Sequence, residues 1–445
     1  MDREESGIPI SATTRLEQLL VVLLFAVLPF ENALPKFHGR STAWALYAVA
    51  TVAVVLFRPN ELWRVARHRV VVAAGAFLVL AVLFESLDPN ASYSIILSTL
   101  EMFLGAVTLT ALCRDRSALM LGLVGFVAAD TAASAVVIHL ARGELHIHAL
   151  NFQAATAARL RAFPNGEAIH NDINYLSYLF GEGAVVALML GHELRSLMAR
   201  VVVLAASLTC MIAAVLTLSR SGLLILVLGY CFALVAVSRH RLRRIVLAAV
   251  LFVLGAAIVP EVVIRRLSLT LGPTSSGQLE SRGLVLEGTY HTIGQYFWTG
   301  IGSGNFFSSW AATNGFLEPQ GTLSGPHDSY VATVMYWGIL TGLTFLLVVV
   351  LAGRCCPSPR GNPIATAICA IALMTMVHLA FDQDLYEKAN SVVLALLICS
   401  DVWLWSGAYS SVVSRERLLW PSRTLIGPET SRDVPAPDRG GIQAR

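Results

Sequence analysis

Twelve apolar stretches, each about as long as a membrane-spanning helix, recur along this chain and restrict the folds open to it. A helix needs about 20 mostly apolar residues to cross a bilayer. Such stretches lie near residues 15–33, 41–58, 69–86, 95–113, 118–140, 173–190, 197–218, 221–238, 244–260, 329–352, 363–381 and 390–408. Only 14% of the 445 residues are charged, against roughly 25% in soluble domains. The sequence therefore predicts an all-α, polytopic bundle of about 12 transmembrane helices.

Arginine residues mark one side of the predicted membrane. The alternate loops near residues 58–69, 114–116, 195–200, 239–244 and 354–360 each carry at least two arginines. The opposite short loops carry almost none, and LDPNASYS has no basic residue. Because positively charged loops stay in the cytoplasm, this pattern predicts both termini on the cytoplasmic side. The net charge of +3 is too small to indicate a nucleic-acid partner.

One membrane domain is the simplest division of the chain. We predict a cytoplasmic N-terminus over 1–14, a transmembrane domain over 15–410 and a disordered cytoplasmic tail over 411–445, which is polar and contains prolines. Two long loops, 141–172 and 261–328, then face the other side of the membrane. The chain has no internal repeat of the kind found in many transporters. Functional residues are therefore expected in the two long loops.

Several polar residues stand at or near the predicted membrane surface on that side. Arg220 lies in a very short turn between two apolar helices, where it faces either lipid headgroups or a polar cavity. The second long loop carries Arg265 and Arg266, and then Arg282 near the start of an amphipathic helix predicted over Ser281–Phe297. The glycines of GIGSG that follow predict a tight turn rather than a nucleotide-binding loop, because no strand precedes them.

Further candidates surround two other helix starts. His327 and Asp328 open the tenth apolar stretch, and histidine is suited to proton transfer near neutral pH. The first long loop holds Arg161 and a Pro-Asn-Gly turn at Asn165, which predict a substrate-lining segment or, alternatively, a plain helix cap. Glu182 follows at mid-membrane, where a carboxyl is protonated, paired with an arginine, or exposed to a water-filled cavity.

Four motifs occur in a fixed order along residues 150–345. They are FPNGEAIHND before a helix, SRSG around Arg220, the SRG helix that leads to GIGSGNF, and a histidine that opens a helix. After His327 and Asp328 come nine residues, then Gly338 and Thr341. Together these segments resemble the O-antigen ligase and polymerase superfamily of bacterial inner-membrane glycosyltransferases. The ligases look like His-(Asn/Ser/Gln), nine residues, Gly-x-x-(Gly/Thr), so Asp328 departs from their pattern.

The resemblance implies transfer of a glycan from an undecaprenyl-diphosphate carrier to a lipid A-core acceptor in the periplasm, without a nucleotide sugar, metal or other cofactor. Arg220 and Arg282 would hold the diphosphate, since guanidinium groups bind phosphate oxygens bidentately. His327 would orient or deprotonate the acceptor hydroxyl. The remaining candidates would contact substrate, and they are Arg265, Arg266, Arg161, Asn165, Asp328 and Glu182. The expected partners are the lipid-linked donor, the acceptor and membrane lipids.

Two alternative functions stay open. A polymerase would use the same donor but lengthen a lipid-linked glycan. A flippase or transporter of lipid-linked sugars would also show twelve helices, although the long outer loop with His327 beside short cytoplasmic loops favours an enzyme. The adjacent cysteines Cys355 and Cys356 could form a metal or palmitoylation site, but the sequence places no histidine near them, which favours inert thiols.

Overall fold

Every regular element in the part of the chain that the structure describes is a helix. The computed structural model describes residues 12–31, 34, 42–88, 91–144, 173–237, 288–303, 328–359, 361–381 and 388–404. Its helices are α1 (Ala12–Ala26), α2 (Thr42–Phe57), α3 (Pro59–Ala66), α4 (Arg69–Glu85), α5 (Ser94–Leu112), α6 (Arg116–Glu144), α7 (Ile173–Glu193), α8 (Leu197–Leu216), α9 (Arg220–Val237), α10 (288–295), α11 (Ser329–Gly353), α12 (Pro363–His378) and α13 (Lys388–Cys399). A 3-10 turn follows α1 at Leu28–Phe30, and a π turn follows α13 at Ser400–Leu404.

Helices occupy eleven of the twelve predicted apolar stretches, and the ninth, 244–260, lies outside the described residues. Five of them, α5, α6, α7, α8 and α11, are long and apolar enough to cross a membrane, and α2 with α3 gives a sixth if this pair, bent by 108°, is one span. Others are shorter: α12 has 16 residues, or about 24 Å at 1.5 Å per residue. The predicted helical membrane fold is confirmed, while the number of twelve spans stays a prediction.

Helix α7 lies at the centre of the bundle. It packs against α6, α8, α9 and α12, and 83% of its most apolar stretch is buried, compared with 22% for α8. The aromatic side chains of Tyr175 and Tyr178 are fully covered on this helix. A residue on α7 is therefore surrounded by protein rather than lipid, and this location applies to the candidate Glu182.

The two ends of the bundle differ in the residues they carry. Arg116 at the start of α6 pairs with Glu193 at the end of α7 at 2.9 Å, so these helices run antiparallel. We call this end, with Arg58, Arg69 and Arg116, the arginine end. Helix α8 starts there and spans 20 residues, so the turn before Arg220 lies about 30 Å away. We call that opposite end, with Arg220, Glu85, Asp328 and His378, the site end.

Two boundaries and one element differ from the sequence prediction. Helix α6 continues to Glu144, so it extends into the loop predicted to begin at residue 141. Helix α10 falls inside the amphipathic helix predicted from 281 to 297, and residues 281–287 are outside the described part. Helix α3 was not predicted, because its eight residues are too short and too polar for a search based on apolar length. The tail 411–445 also lies outside the described residues.

Candidate active site

The structure describes only some of the predicted site residues. Asp328 and Glu182 are described with their side chains, and Arg220 by its backbone alone. The other candidates lie outside the described residues, and they are His327, Arg282, Arg265, Arg266, Arg161 and Asn165. The site is therefore built from the helices that begin or end next to these positions.

Arg220 is the first residue of α9 and follows a strained turn. Leu218 has a positive φ of 55° although it is not glycine, and its side chain is only 5% exposed. The Ser219 hydroxyl then caps α9 by accepting a hydrogen bond from Gly222 N at 3.2 Å. A left-handed conformation at a branched apolar residue costs free energy and persists where the surrounding structure requires it. This turn therefore fixes the backbone position of Arg220, in agreement with the predicted tight outer turn.

Asp328 begins α11 and acts as its cap. Its Oδ1 accepts hydrogen bonds from Tyr330 N at 2.8 Å and Val331 N at 3.0 Å. Burial raises the pKa of the Asp328 carboxyl, and the two backbone hydrogen bonds oppose that effect. The residue after His327 therefore has a structural role in starting the helix, whether or not it also contacts substrate.

Helix α11 is broken at Gly338, the glycine of the histidine motif. Gly338 has φ 76° and ψ 173°, which are not helical angles. Three backbone hydrogen bonds join the broken turn to the segment after α10: Ile301 N to Met335 O at 3.0 Å, Gly302 N to Tyr336 O at 2.9 Å, and Ile339 N to Phe297 O at 2.9 Å. A Cβ atom at Gly338 would collide with Trp298 O. The predicted glycine turn is confirmed, and it packs into the break.

Glu85, at the end of α4, lies under this junction and is fully buried. Its Oε1 accepts from Ser92 N at 2.8 Å and lies 3.1 Å from the Ser303 hydroxyl. Its Oε2 accepts from Ser303 N at 2.9 Å and from Trp337 Nε1 at 2.7 Å. Three separate parts of the chain therefore meet at one carboxyl group.

Contacts through α7 connect the starts of α9 and α11. On one side, a Cβ atom at Gly222 would collide with the Ser177 side chain of α7. On the other side, the Tyr178 ring stacks on His378 at 4.2 Å. The residue after His378 contributes its carbonyl, which accepts from Ser329 N at 2.8 Å. Arg220 and Asp328 therefore begin helices at the same end of the bundle, linked through α7 and α12.

Glu182 lies deeper in the bundle and is 2% exposed. The Thr375 hydroxyl donates to its Oε1 at 3.3 Å, and the Tyr178 hydroxyl lies 2.8 Å from Thr375 Oγ1. Asp130 of α6 approaches next to it, where a Cβ atom at Gly183 would collide with the Asp130 carboxylate. Among the described side chains, no cation lies within ion-pair distance of Glu182. In the described part of the structure, the Glu182 carboxyl therefore lies next to the linked hydroxyl groups of Thr375 and Tyr178.

The sequence prediction for Cys355 needs a correction, since the fold brings a histidine to it. His68, Cys355 and Asp401 have potential ligand atoms within 4.8 Å of one another at the arginine end. However, His68 Nδ1 accepts from Val70 N, so Nε2 carries the proton and donates to Asp401 at 3.0 Å. The Arg69 guanidinium lies 3.3 Å from the same Asp401 oxygen. This arrangement is that of a hydrogen-bonded ion pair.

Glu85 and His378 were not predicted from the sequence. Glu85 is an acidic residue at the end of an apolar helix, and the rule that an ionisable group near membrane depth has a function would have marked it. His378 likewise ends an apolar helix, in TMVHLAF. Their partners are distant in the sequence, so no local pattern showed what they contact.

A family model described as O-antigen ligase matches residues 204–346. The matched segment includes the starts of α9 and α11, the turn after α10 and the break at Gly338. It also includes the positions Arg265, Arg266, Arg282, His327 and Asp328, whereas Arg161, Asn165 and Glu182 precede it. No curated protein matches the chain.

Three of the four predicted motifs lie inside the matched segment. This domain, together with several apolar helices, supports a membrane protein with a function of the O-antigen ligase or polymerase type, in lipopolysaccharide biosynthesis. The resemblance predicted from the motifs is confirmed. The O-antigen ligase domain at residues 204–346 supports the O-antigen ligase superfamily for this chain.

Proposed function

We propose that the chain is an O-antigen ligase of the bacterial inner membrane, with both termini in the cytoplasm and the site end in the periplasm. It transfers a glycan from undecaprenyl diphosphate to a lipid A-core acceptor. The observation that carries this proposal is that Arg220 and Asp328 both begin helices at one end of the bundle, inside the matched segment.

In the proposed reaction, the acceptor hydroxyl oxygen attacks the anomeric carbon of the lipid-linked glycan. The bond from that carbon to the diphosphate oxygen breaks, and undecaprenyl diphosphate leaves with the electron pair. His327 takes the hydroxyl proton as general base. A single displacement of this kind inverts the anomeric centre.

The arginines supply the electrostatic part of the mechanism. Negative charge accumulates on the diphosphate as the bond breaks, and preorganised donors that face this charge stabilise the transition state. Arg220 and Arg282 hold the diphosphate, with Arg265 or Arg266 as a third contact. The strained turn at Leu218 supports this role for Arg220, because it fixes the first turn of α9 at the site end. Arg161 and Asn165 contact substrate, as does Asp328 at the start of α11, whereas Glu182 is buried inside the bundle and accepts a hydrogen bond from Thr375.

A polymerase of the same superfamily is the second candidate, because Asp328 stands where the ligases have Asn, Ser or Gln. A deletion strain analysed for lipopolysaccharide separates the two. Loss of all polymer on lipid A with lipid-linked polymer retained is the result expected for a ligase. Lipopolysaccharide capped with a single repeat would contradict the ligase assignment and support the polymerase.

A further inference from the structure

The carboxyl group of Glu85 joins segments that the proposed mechanism needs in fixed positions. Glu85 itself ends α4, Ser303 follows the turn after α10, and Trp337 precedes the break in α11. Ser92 N, Ser303 N and Trp337 Nε1 direct hydrogens toward the two Glu85 oxygens. The Ser303 hydroxyl has a single hydrogen, which faces both Glu85 Oε1 at 3.1 Å and Ser92 O at 2.8 Å.

The break in α11 explains why such an acceptor is needed. In a continuous helix, backbone N–H and C=O groups form hydrogen bonds with each other. At Gly338 this series of hydrogen bonds is interrupted, and the backbone groups of Met335, Tyr336 and Ile339 bond to residues 297–302 instead. Gly300, with φ 70°, allows this approach, because a Cβ atom there would collide with Tyr336 O. The turn and the half-helix that starts at Ser329 therefore move together only as long as both stay attached at this junction.

We infer that Glu85 is a positioning residue for the glycosyl transfer. It joins the turn at residues 297–303 to the half-helix that starts at Ser329, and these are described segments that follow Arg282 and His327 in the sequence. The inference rests on the proposed function, in which those two residues act on the same substrate.

A rigid clamp has a direct effect on rate. Reacting groups must be held close to their productive geometry, and a misplacement of about 1 Å by a distant change can cost about 10²-fold. Among the described residues, the hydrogen-bond partners of Glu85 are Ser92, Ser303 and Trp337, none of which is a predicted catalytic residue. Its loss should therefore lower kcat while the arginines continue to bind the donor.

Glutamine is the most informative replacement for Glu85. The amide keeps the volume but has a single oxygen, so either Ser92 N or Trp337 Nε1, according to the amide orientation, then faces an NH₂ group that is itself a donor. Ser303→Ala and Trp337→Phe each remove one side-chain donor and should have smaller effects. Tyr47→Phe is the matched control, because Tyr47 is also buried and its hydroxyl lies 3.1 Å from Ser391, between α2 and α13.

The experiment uses full-length protein in lipid nanodiscs with lipid-linked glycan and lipid A-core acceptor. It measures kcat, donor affinity and backbone hydrogen exchange over 297–303 and 335–339. For Glu85→Gln we expect kcat to fall about 10- to 100-fold per folded protein, donor affinity to change less than about threefold, and exchange at Ile301, Gly302 and Ile339 to accelerate. Tyr47→Phe should keep the wild-type kcat and exchange in these segments.

A double variant gives a further test of the coupling. Once Trp337→Phe removes the indole donor, the amide of Glu85→Gln can turn its oxygen toward Ser92 N and leave no N–H group facing its NH₂. The double variant should therefore be less impaired than the product of the two single effects. Unchanged kcat in Glu85→Gln, or equal losses of kcat in Glu85→Gln and Tyr47→Phe, would overturn the inference. An inactive wild-type protein whose exchange still responds to Glu85→Gln would instead overturn the proposed function, and with it any catalytic role of the clamp.

Discussion

The arginine end and the site end of the bundle hold their charged groups in different ways. At the arginine end, Arg58 binds Glu17 through two hydrogen bonds of 2.8 and 3.0 Å, and Arg116 binds Glu193 with its side chain 52% exposed. At the site end, Glu85 is fully buried and bonded to neutral donors. Of the ion pairs between described residues, the one at the site end joins Lys388 and Glu31.

Polar residues thus form ion pairs at one end of the bundle, and at the other end a buried carboxyl group accepts hydrogen bonds. Exposed ion pairs contribute about 0–1 kcal/mol each, because water screens them and long side chains lose entropy on pairing. A buried acceptor is different, since each donor that loses it costs about 1–3 kcal/mol. Replacing a residue of an exposed ion pair at the arginine end, such as Arg116, should therefore have little effect on the protein. At the site end, activity should depend on the positions of the buried groups. Matched substitutions at the two ends test this difference.

Reporter fusions test which side each end faces, and the expected signal is all or none. Fusions after Arg69, Arg116, Arg200, Arg244 and Arg360 should report the cytoplasm, and fusions at Asn165 and Ser276 should report the periplasm, because arginine-rich loops are retained inside. Alkaline phosphatase and a cytoplasmic fluorescent reporter at each position provide the measurement. A cytoplasmic signal at Ser276 would reverse the orientation and move the proposed site to the wrong side.

Substitution of the proposed diphosphate ligands should have a large effect on rate. Arg220→Ala and Arg282→Ala should each lower transfer by about 10²- to 10³-fold or more, because they remove donors to the charge that develops on the leaving group. Lysine should restore little, since a point charge lacks the two-pronged geometry. The matched control is Arg116→Ala, which removes only an exposed ion pair and should leave transfer unchanged. Near-normal transfer in both alanine variants would exclude the role of these two arginines in binding the diphosphate.

His327 is expected to act in catalysis and not in donor binding. His327→Ala should lower turnover by about 10²- to 10⁴-fold, the usual contribution of a general base, while the arginines still bind the lipid-linked donor. His68→Ala is the control at the arginine end, where the ring bonds to Asp401. Turnover and donor binding are measured separately on purified protein in lipid. If His327→Ala fails only because the donor no longer binds, the base assignment is wrong.

The helices of this fold were predictable because their apolar runs are local. The stretch predicted at 95–113, for example, is helix α5 at Ser94–Leu112. The break in α11 was not predictable in this way, since SYVATVMYW and ILTGL are apolar on both sides of Gly338. The break exists because another segment supplies the hydrogen bonds that the helix gives up.

In the candidate site, too, the features set by neighbouring residues were predictable and those set by distant residues were not. The motifs marked Arg220 and Asp328, and both begin helices at the same end of the bundle. Asp328 proved to be a helix cap, a role that depends only on the next three residues and was therefore accessible from the sequence. The role of Glu85 was not accessible, because Ser303 and Trp337 are more than 200 residues away.

Gly338→Ala tests whether the break in α11 matters beyond backbone strain. A left-handed conformation at alanine costs about 1–3 kcal/mol, and the added Cβ would also collide with Trp298 O. Gly361→Ala at the arginine end is the matched control, because its φ is 70° but no atom lies within 4 Å of the added Cβ. Both variants should lose stability in thermal unfolding, and only Gly338→Ala should lose transfer. Equal transfer in the two would show that the junction is not needed.

Asp328→Asn should have the smallest effect of these changes. Asparagine caps a helix about as well as aspartate, and its side-chain oxygen can accept from Tyr330 N and Val331 N as Oδ1 does now. Burial raises the pKa of the Asp328 carboxyl, and its two backbone hydrogen bonds oppose that effect. Transfer should therefore stay within about threefold of wild type, whereas Asp328→Ala should cost about 1 kcal/mol of stability by loss of the cap.

Asn362→Ala provides the comparison at the arginine end, where Asn362 caps α12 by accepting from Ala365 N at 3.1 Å. It should cost about as much stability as Asp328→Ala, because both remove a helix cap, but it should leave transfer at the wild-type rate. The informative measurement is the dependence of kcat on pH in Asp328→Asn. If the carboxylate raised the basicity of His327, its removal would lower kcat and move the acidic limb of the profile to lower pH. An unchanged profile would mean that Asp328 serves His327 only by starting the helix next to it.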